Sequence, residues 1–228
     1  MQELIKTNTE PGAAPDASSR DYPVAIRFLA NFFSWLFHPL FIASYVMFFL
    51  IFIHPYVFAG FDQRTKVFRF LHIFLLTAFF PLFAVFLMWR LGLFMQSIYL
   101  RTTRERIIPY VIAMIFYWWP WNVFKNLPES PPVTIHFLLG NFLALCGAWM
   151  CNIYYKISMH GVAMGGLICF FVLFSFSDGY ASGLYISLAF LIAGIVCSSR
   201  LIVSDHTKFE IYSGVMVGIL GQYIAWQF

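Results

Sequence analysis

The chain has 228 residues, of which 61% are hydrophobic and only 11% charged, with a formal net charge of +4. A soluble domain carries about a quarter charged residues, so these proportions exclude a water-facing globule and make lipid the solvent. The length accommodates one domain of six or seven spans at about 20 apolar residues each. The expected fold class is an all-α, polytopic transmembrane helical bundle. The 29 phenylalanines exceed what a core needs and suit a lipid-facing surface.

Residues 1–26 read as a flexible tail, with Pro11, Pro15 and a run of small residues. No cleavable signal is read there. Residues 27–228 form the membrane domain. The first span lies within Arg27 to Phe58 and is broken early at His38-Pro39. The second covers Val67 to Trp89. A basic segment, Leu100 to Pro109, precedes a third span from Tyr110 to Phe124. That span ends in Trp118-Trp119-Pro120-Trp121, an aromatic cluster of the kind that anchors at the headgroup level. A polar, Pro-rich loop from Lys125 to Pro132 follows. The fourth span, Val133 to Tyr155, leads to Lys156-Ile157-Ser158-Met159-His160. The fifth, Gly161 to Phe176, turns at Ser177-Asp178-Gly179. The sixth, Ala181 to Ser198, leads to the polar stretch Ser199 to Glu210. The seventh is Ile211 to Phe228.

Three polar clusters therefore interrupt the apolar sequence: Arg101 to Arg106, Lys156 to His160, and Ser199 to Glu210. Two spans separate each from the next, so all three face one side of the membrane. Ten Lys and Arg fall on that side and four on the other, which the positive-inside rule reads as cytoplasmic. Five of the ten belong to the clusters, and without them the count is five against four.

Together the clusters hold several cations, two histidines and a carboxylate. Phosphoryl chemistry needs this inventory: cations for the phosphate oxygens, a nucleophile, and an acid for the leaving oxygen. Glu210 stands four residues after His206, a spacing that places carboxylate beside imidazole on a helix. Such a carboxylate holds one ring nitrogen and leaves the other as nucleophile. Asp205 reads as capping or solvated.

Ser199-Arg200, five residues, His206, three residues and Glu210 resemble the third signature of the type 2 phosphatidic acid phosphatase superfamily, in which Asp is usual at the last position. Ile157-Ser158-Met159-His160 is similar to the second signature, Pro-Ser-Gly-His, without its Pro and Gly. Arg101 and Pro109 match the Lys and Pro of the first, whose Arg position holds Ile108. The wording of the segments also resembles a divergent group common in Bacteroidetes. The resemblance covers Arg101 to Gly218, about half the chain. It implies a lipid phosphatase in a bacterial inner membrane, needing no metal or other cofactor. His206 would attack phosphorus, Glu210 would hold it, and His160 would protonate the leaving oxygen. Arg200 would clamp the phosphate with help from Ser158, and Arg101 would stand in for the first-signature Lys. Arg104, Arg106 and Lys156 are the candidates for the missing Arg. The implied partners are a lipid phosphate substrate and membrane lipids, with no nucleic acid, and the oligomeric state is left open. The family's site faces away from the cytoplasm, against the raw charge count. A lipid phosphotransferase and a non-catalytic anionic-lipid binder are the alternatives.

The remaining histidines, His38, His54, His72 and His136, are expected to make interfacial or interhelical hydrogen bonds outside the clusters. Gly165-Gly166 and Gly214-x-x-x-Gly218 are expected to serve close helix packing. The four cysteines, Cys146, Cys151, Cys169 and Cys197, have neither zinc nor redox spacing.

Overall fold

The computed structural model describes residues 22–92, 103–178, 183–203 and 206–228. Most of the expected tail, Arg101, Gly179 and Asp205 lie outside the described residues. Helices α1 (Val24–Leu36) and α2 (Pro39–Phe48) flank the His38-Pro39 break, and α2 runs on through a π-helical turn, Phe49–Ile53. Helices α3 (Gln63–Phe74) and α4 (Phe80–Arg90) join through a second π-helical turn, Leu75–Phe79. Then follow α5 (Thr103–Asn126), α6 (Pro132–Tyr154), α7 (Met159–Asp178), α8 (Gly183–Ile202) and α9 (Lys208–Ala225). The described residues form no strand, and the architecture is the expected all-α bundle.

Five helical stretches are long and apolar enough to cross a bilayer: Gln63–Arg90, Arg106–Asn126, Pro132–Tyr154, Met159–Ser177 and Gly183–Ile202. The pair α1 and α2, bent by 61° at His38, has the length and composition of a span only when the two helices are taken together. The chain is a multi-pass membrane protein. The seventh apolar segment, α9, is not among these spans. Its 18 residues include Lys208, Glu210, Gln222 and three glycines. It lies against α6 and α7, so its inner face meets protein rather than hydrocarbon and needs less apolar sequence.

Helix α7 is the centre of the bundle, more enclosed than any other span. It runs parallel to α9, backbone against backbone. A Cβ at Gly161 would meet the Ile211 carbonyl, one at Gly165 the Val215 carbonyl, and one at Gly214 the Ser158 carbonyl. Helix α6 passes α9 in the opposite sense, with Gly221 against Ala144 and Gly140 against the Gln222 side chain. Gly165 and the Gly214/Gly218 pair therefore serve close packing, as expected from sequence. Gly218→Ala forces a methyl group onto the Val162 carbonyl and the Gly166 amide. Neither is a side chain that can rotate away, so the two helices must separate. The expected cost is about 3 kcal/mol, seen as a lower Tm for the detergent-purified protein.

The larger apolar core joins α2, α7 and α8 around Met47, Leu50, Phe170 and Val196. Aromatic side chains fill it, with Phe170 and Phe174 stacked at 5.7 Å. Among the histidines, His54 accepts from the Tyr56 and Val57 amides and packs on Phe174. His136 packs on Trp226 and His72 on Phe124. The expected interhelical hydrogen bonds are not what holds these three: the bonds of His54 are local, and His72 and His136 meet their neighbours by ring contact. Arg69 is buried under the Phe61 ring at 4.2 Å and donates to the Pro128 carbonyl, which ties the loop after α2 to the loop before α6.

Candidate functional site

The three polar clusters meet. Tyr155 ends α6 and Ser158 caps α7, the Ser158 Oγ accepting the Gly161 N–H at 3.4 Å. The Ser158 N–H donates to the Glu210 carbonyl at 3.1 Å. This bond fixes the second cluster against the third. Arg106, on the first turns of α5, donates from Nη1 to the Ile157 carbonyl at 3.1 Å, bringing in the first cluster.

Helix α9 begins with a capping box. The Glu210 N–H donates to Thr207 Oγ1, and the Thr207 N–H donates to Glu210 Oε2, both at 3.3 Å. The same Oε2 accepts the His206 Nδ1–H at 2.7 Å. The carboxylate thus orients the ring and stabilises the helix start together. With Nδ1 occupied, the basic nitrogen of the neutral His206 ring is Nε2. The His206 side chain is only 4% exposed.

Burial pushes the His206 imidazole down to a pKa of about 3, helped by the charges of Arg200, Lys156 and Arg106. The Glu210 carboxylate works against this shift, and the ring is neutral at pH 7. The three cations that favour the neutral ring belong to three different clusters. Three cations around one carboxylate and a neutral ring favour an anion, whose charge would raise the basicity of the imidazole.

Arg200, near the end of α8, donates from Nη1 to Ser34 Oγ at 3.0 Å. His160 Nε2 lies 3.0 Å from the Ser34 carbonyl. A carbonyl only accepts, so Nε2 carries the proton. Ser34 is buried on α1, and it joins Arg200 to His160 although it is more than 120 residues from either in sequence.

The expectation that His38 stands apart from the clusters is overturned. Its ring lies 5.5 Å from that of His160, edge to face. His38 is the N-cap of α2, its Nδ1 accepting the Leu40 N–H at 3.4 Å. The bend of 61° between α1 and α2 places both Ser34 and His38 at the cluster end of the bundle. Sequence reasoning missed both residues. The available signal was a lone serine on an apolar helix, one turn before a His-Pro break.

Of the residues expected at the site, His206, Glu210, His160, Arg200, Lys156, Arg106 and Ser158 converge. Ser158 is there as a helix cap, its N–H given to the Glu210 carbonyl and its Oγ accepting the Gly161 N–H, so of its two expected ways to help, hydroxyl or backbone, the amide is already engaged. Arg104 lies on the first turn of α5, and Arg101 lies outside the described residues. Of the three candidates for the missing Arg, Arg106 and Lys156 are the two whose charges act on His206. Among the described residues, no three of His, Cys, Asp or Glu are grouped to hold a metal ion.

The low pKa of His206 has a measurable consequence. In the native chain the ring takes up its proton far below 6.5, whereas the unfolded chain does so near 6.5. Acidification below 6.5 therefore destabilises the fold, and a function that needs neutral His206 persists into that range. The His206 ring is expected to take up its proton below pH 5, read from its imidazole NMR signals in the detergent-purified protein. Lys156→Met removes one of the opposing cations and moves that titration toward neutrality. A midpoint near 6.5 in both proteins would contradict this account of His206.

Comparisons of the chain with family models, with curated proteins and with solved structures found no match.

Proposed function

We propose that the protein is a lipid phosphatase that works through a phosphohistidine on His206. The observation that carries this reading is the His206 ring held at Nδ1 by Glu210 at 2.7 Å, with Arg200, Lys156 and Arg106 as the cations that act on it. A nucleophile, its orienting carboxylate and the cations for a phosphate are thereby brought together. The resemblance of the three segments to the type 2 phosphatidic acid phosphatase superfamily supports the same reading. On that resemblance the membrane is a bacterial inner membrane.

In the first step the Nε2 lone pair of His206 attacks phosphorus and the bond from phosphorus to the lipid oxygen breaks. The Nε2–H of His160 is held by the Ser34 carbonyl, so the proton given to the leaving oxygen is a second one, carried on Nδ1 of the imidazolium and taken up together with the phosphate dianion. In the second step Nδ1 of the now neutral His160 takes a proton from the attacking water, the oxygen bonds to phosphorus, the P–N bond breaks, and inorganic phosphate leaves with the His206 lone pair and the His160 imidazolium restored. Arg200, Arg106 and Lys156 counter the charge that accumulates on the phosphate oxygens. The substrate class is an amphiphile whose phosphate reaches the clusters while its chain stays in the bilayer.

The test is phosphate release by the detergent-purified protein, with chelator present. The panel is phosphatidic acid, phosphatidylglycerol phosphate and an isoprenoid diphosphate. Release from at least one lipid, with an acid-labile and alkali-stable phosphate on the protein during turnover, is the expected result. A folded protein that releases no phosphate and never becomes labelled would overturn the proposal.

A further inference from the structure

Between α1 and α8 runs an apolar groove of about 520 Å³, bounded by Ile26 and Phe33 on one side and by Phe190 and Ile202 on the other. That is within the range of small-molecule sites. Along α8 the groove extends from Phe190 to Ile202, about 18 Å at 1.5 Å per residue. One leaflet contributes half of a hydrocarbon core about 30 Å thick, so the groove matches the depth of one leaflet. Its floor includes Gly194, where an added Cβ would meet nothing within 4 Å. The upper wall includes Ser199 and Phe33, the immediate neighbours of Arg200 and Ser34, which are hydrogen-bonded to each other. Apolar wall and anion-binding end are thus continuous.

We infer that the α1/α8 groove holds a hydrocarbon chain of the phosphorylated lipid while its phosphate lies at Arg200 and His206. This rests on reading the polar cluster as a lipid-phosphate site. The charge gradient along the groove fixes the direction: an amphiphile with an anionic head and an apolar tail fits one way round. A lipid reaches the site laterally, from the leaflet on the cluster side, without leaving the bilayer. The groove follows a single helix pair, so one chain is seated and a second chain of a diacyl lipid remains in the membrane.

Gly194→Phe fills the groove from its floor. Replacing a glycine inside α8 also favours the helix, so the variant folds. For a long-chain phosphatidic acid it is expected to lower kcat/KM by about tenfold or more, the scale of discrimination by an apolar pocket. For a dihexanoyl analogue, whose short chains do not reach Gly194, kcat/KM is expected to stay unchanged. Binding is read separately in His206→Ala, with a phosphatidic acid bearing a diazirine in one long acyl chain and the matched diacylglycerol as control. Photolabelling is expected on the α1 and α8 peptides, several-fold stronger for the phosphate, and lost when Gly194→Phe is added. Equal labelling by both lipids, labelling on other helices, or wild-type rates in Gly194→Phe with the long-chain substrate would each overturn the groove assignment. Phosphate-dependent labelling of the groove in a protein that hydrolyses no lipid would leave this site standing and remove the phosphatase reading.

Discussion

His206→Ala is expected to abolish phosphate release, lowering kcat by about 10⁴-fold or more, since loss of a nucleophile removes the covalent route altogether. The fold has no reason to fail with it. The Thr207–Glu210 capping box remains, and so does the bond from the Ser158 amide to the Glu210 carbonyl. The variant should therefore elute as wild type on size exclusion and carry no labelled phosphate. His160→Ala should behave differently. If His160 supplies the proton, its loss costs most for a poor leaving group and little for a p-nitrophenyl ester, which leaves unprotonated. A His206→Ala protein that keeps wild-type turnover would remove the basis of the mechanism.

The second large effect is expected at Arg200. Its guanidinium is held by Ser34 Oγ and acts on His206 more strongly than the other two cations. Arg200→Met should lower kcat by about 10²- to 10³-fold, the usual consequence of removing one preorganised transition-state contact. Arg200→Lys should recover only part of this, because an ammonium cannot present the planar fork that engages two phosphate oxygens. Without the Arg200 charge the His206 imidazole also becomes more basic, so its NMR titration midpoint should rise in Arg200→Met. A variant that loses activity with that midpoint unmoved would place Arg200 away from His206 in solution.

Much of this arrangement was legible in the sequence because it rests on short spacings and on counting crossings. The i, i+4 relation of His206 and Glu210 needs only a helix start. The meeting of the three clusters needs only an even number of spans between them. The Thr207-x-x-Glu210 spacing is that of a capping box, and Glu210 serves the helix start and His206 with the same carboxylate oxygen. Ser34 and His38 could not be placed by such rules. Their link to His160 joins segments more than 120 residues apart and depends on the angle at which α1 leaves α2. His38 before Pro39 also has a sufficient local explanation as a helix cap, which conceals its second neighbour. The status of α9 was obscured for a related reason. Hydropathy reports exposure to lipid, whereas α9 is defined by its contact with α6 and α7.

The backbone contact between α7 and α9 bears on how the protein responds to its membrane. Side chains absorb a change in bilayer thickness or lateral pressure by changing rotamer, but Gly161, Gly165, Gly214 and Gly218 have none to change. Ser158 and Glu210, one at the start of each helix, are joined by a main-chain hydrogen bond. The two helices must therefore tilt as one body. The spacing between the second and third clusters is then insensitive to lipid composition, and adjustment to a thicker or thinner bilayer falls to the outer spans and to the bend at His38.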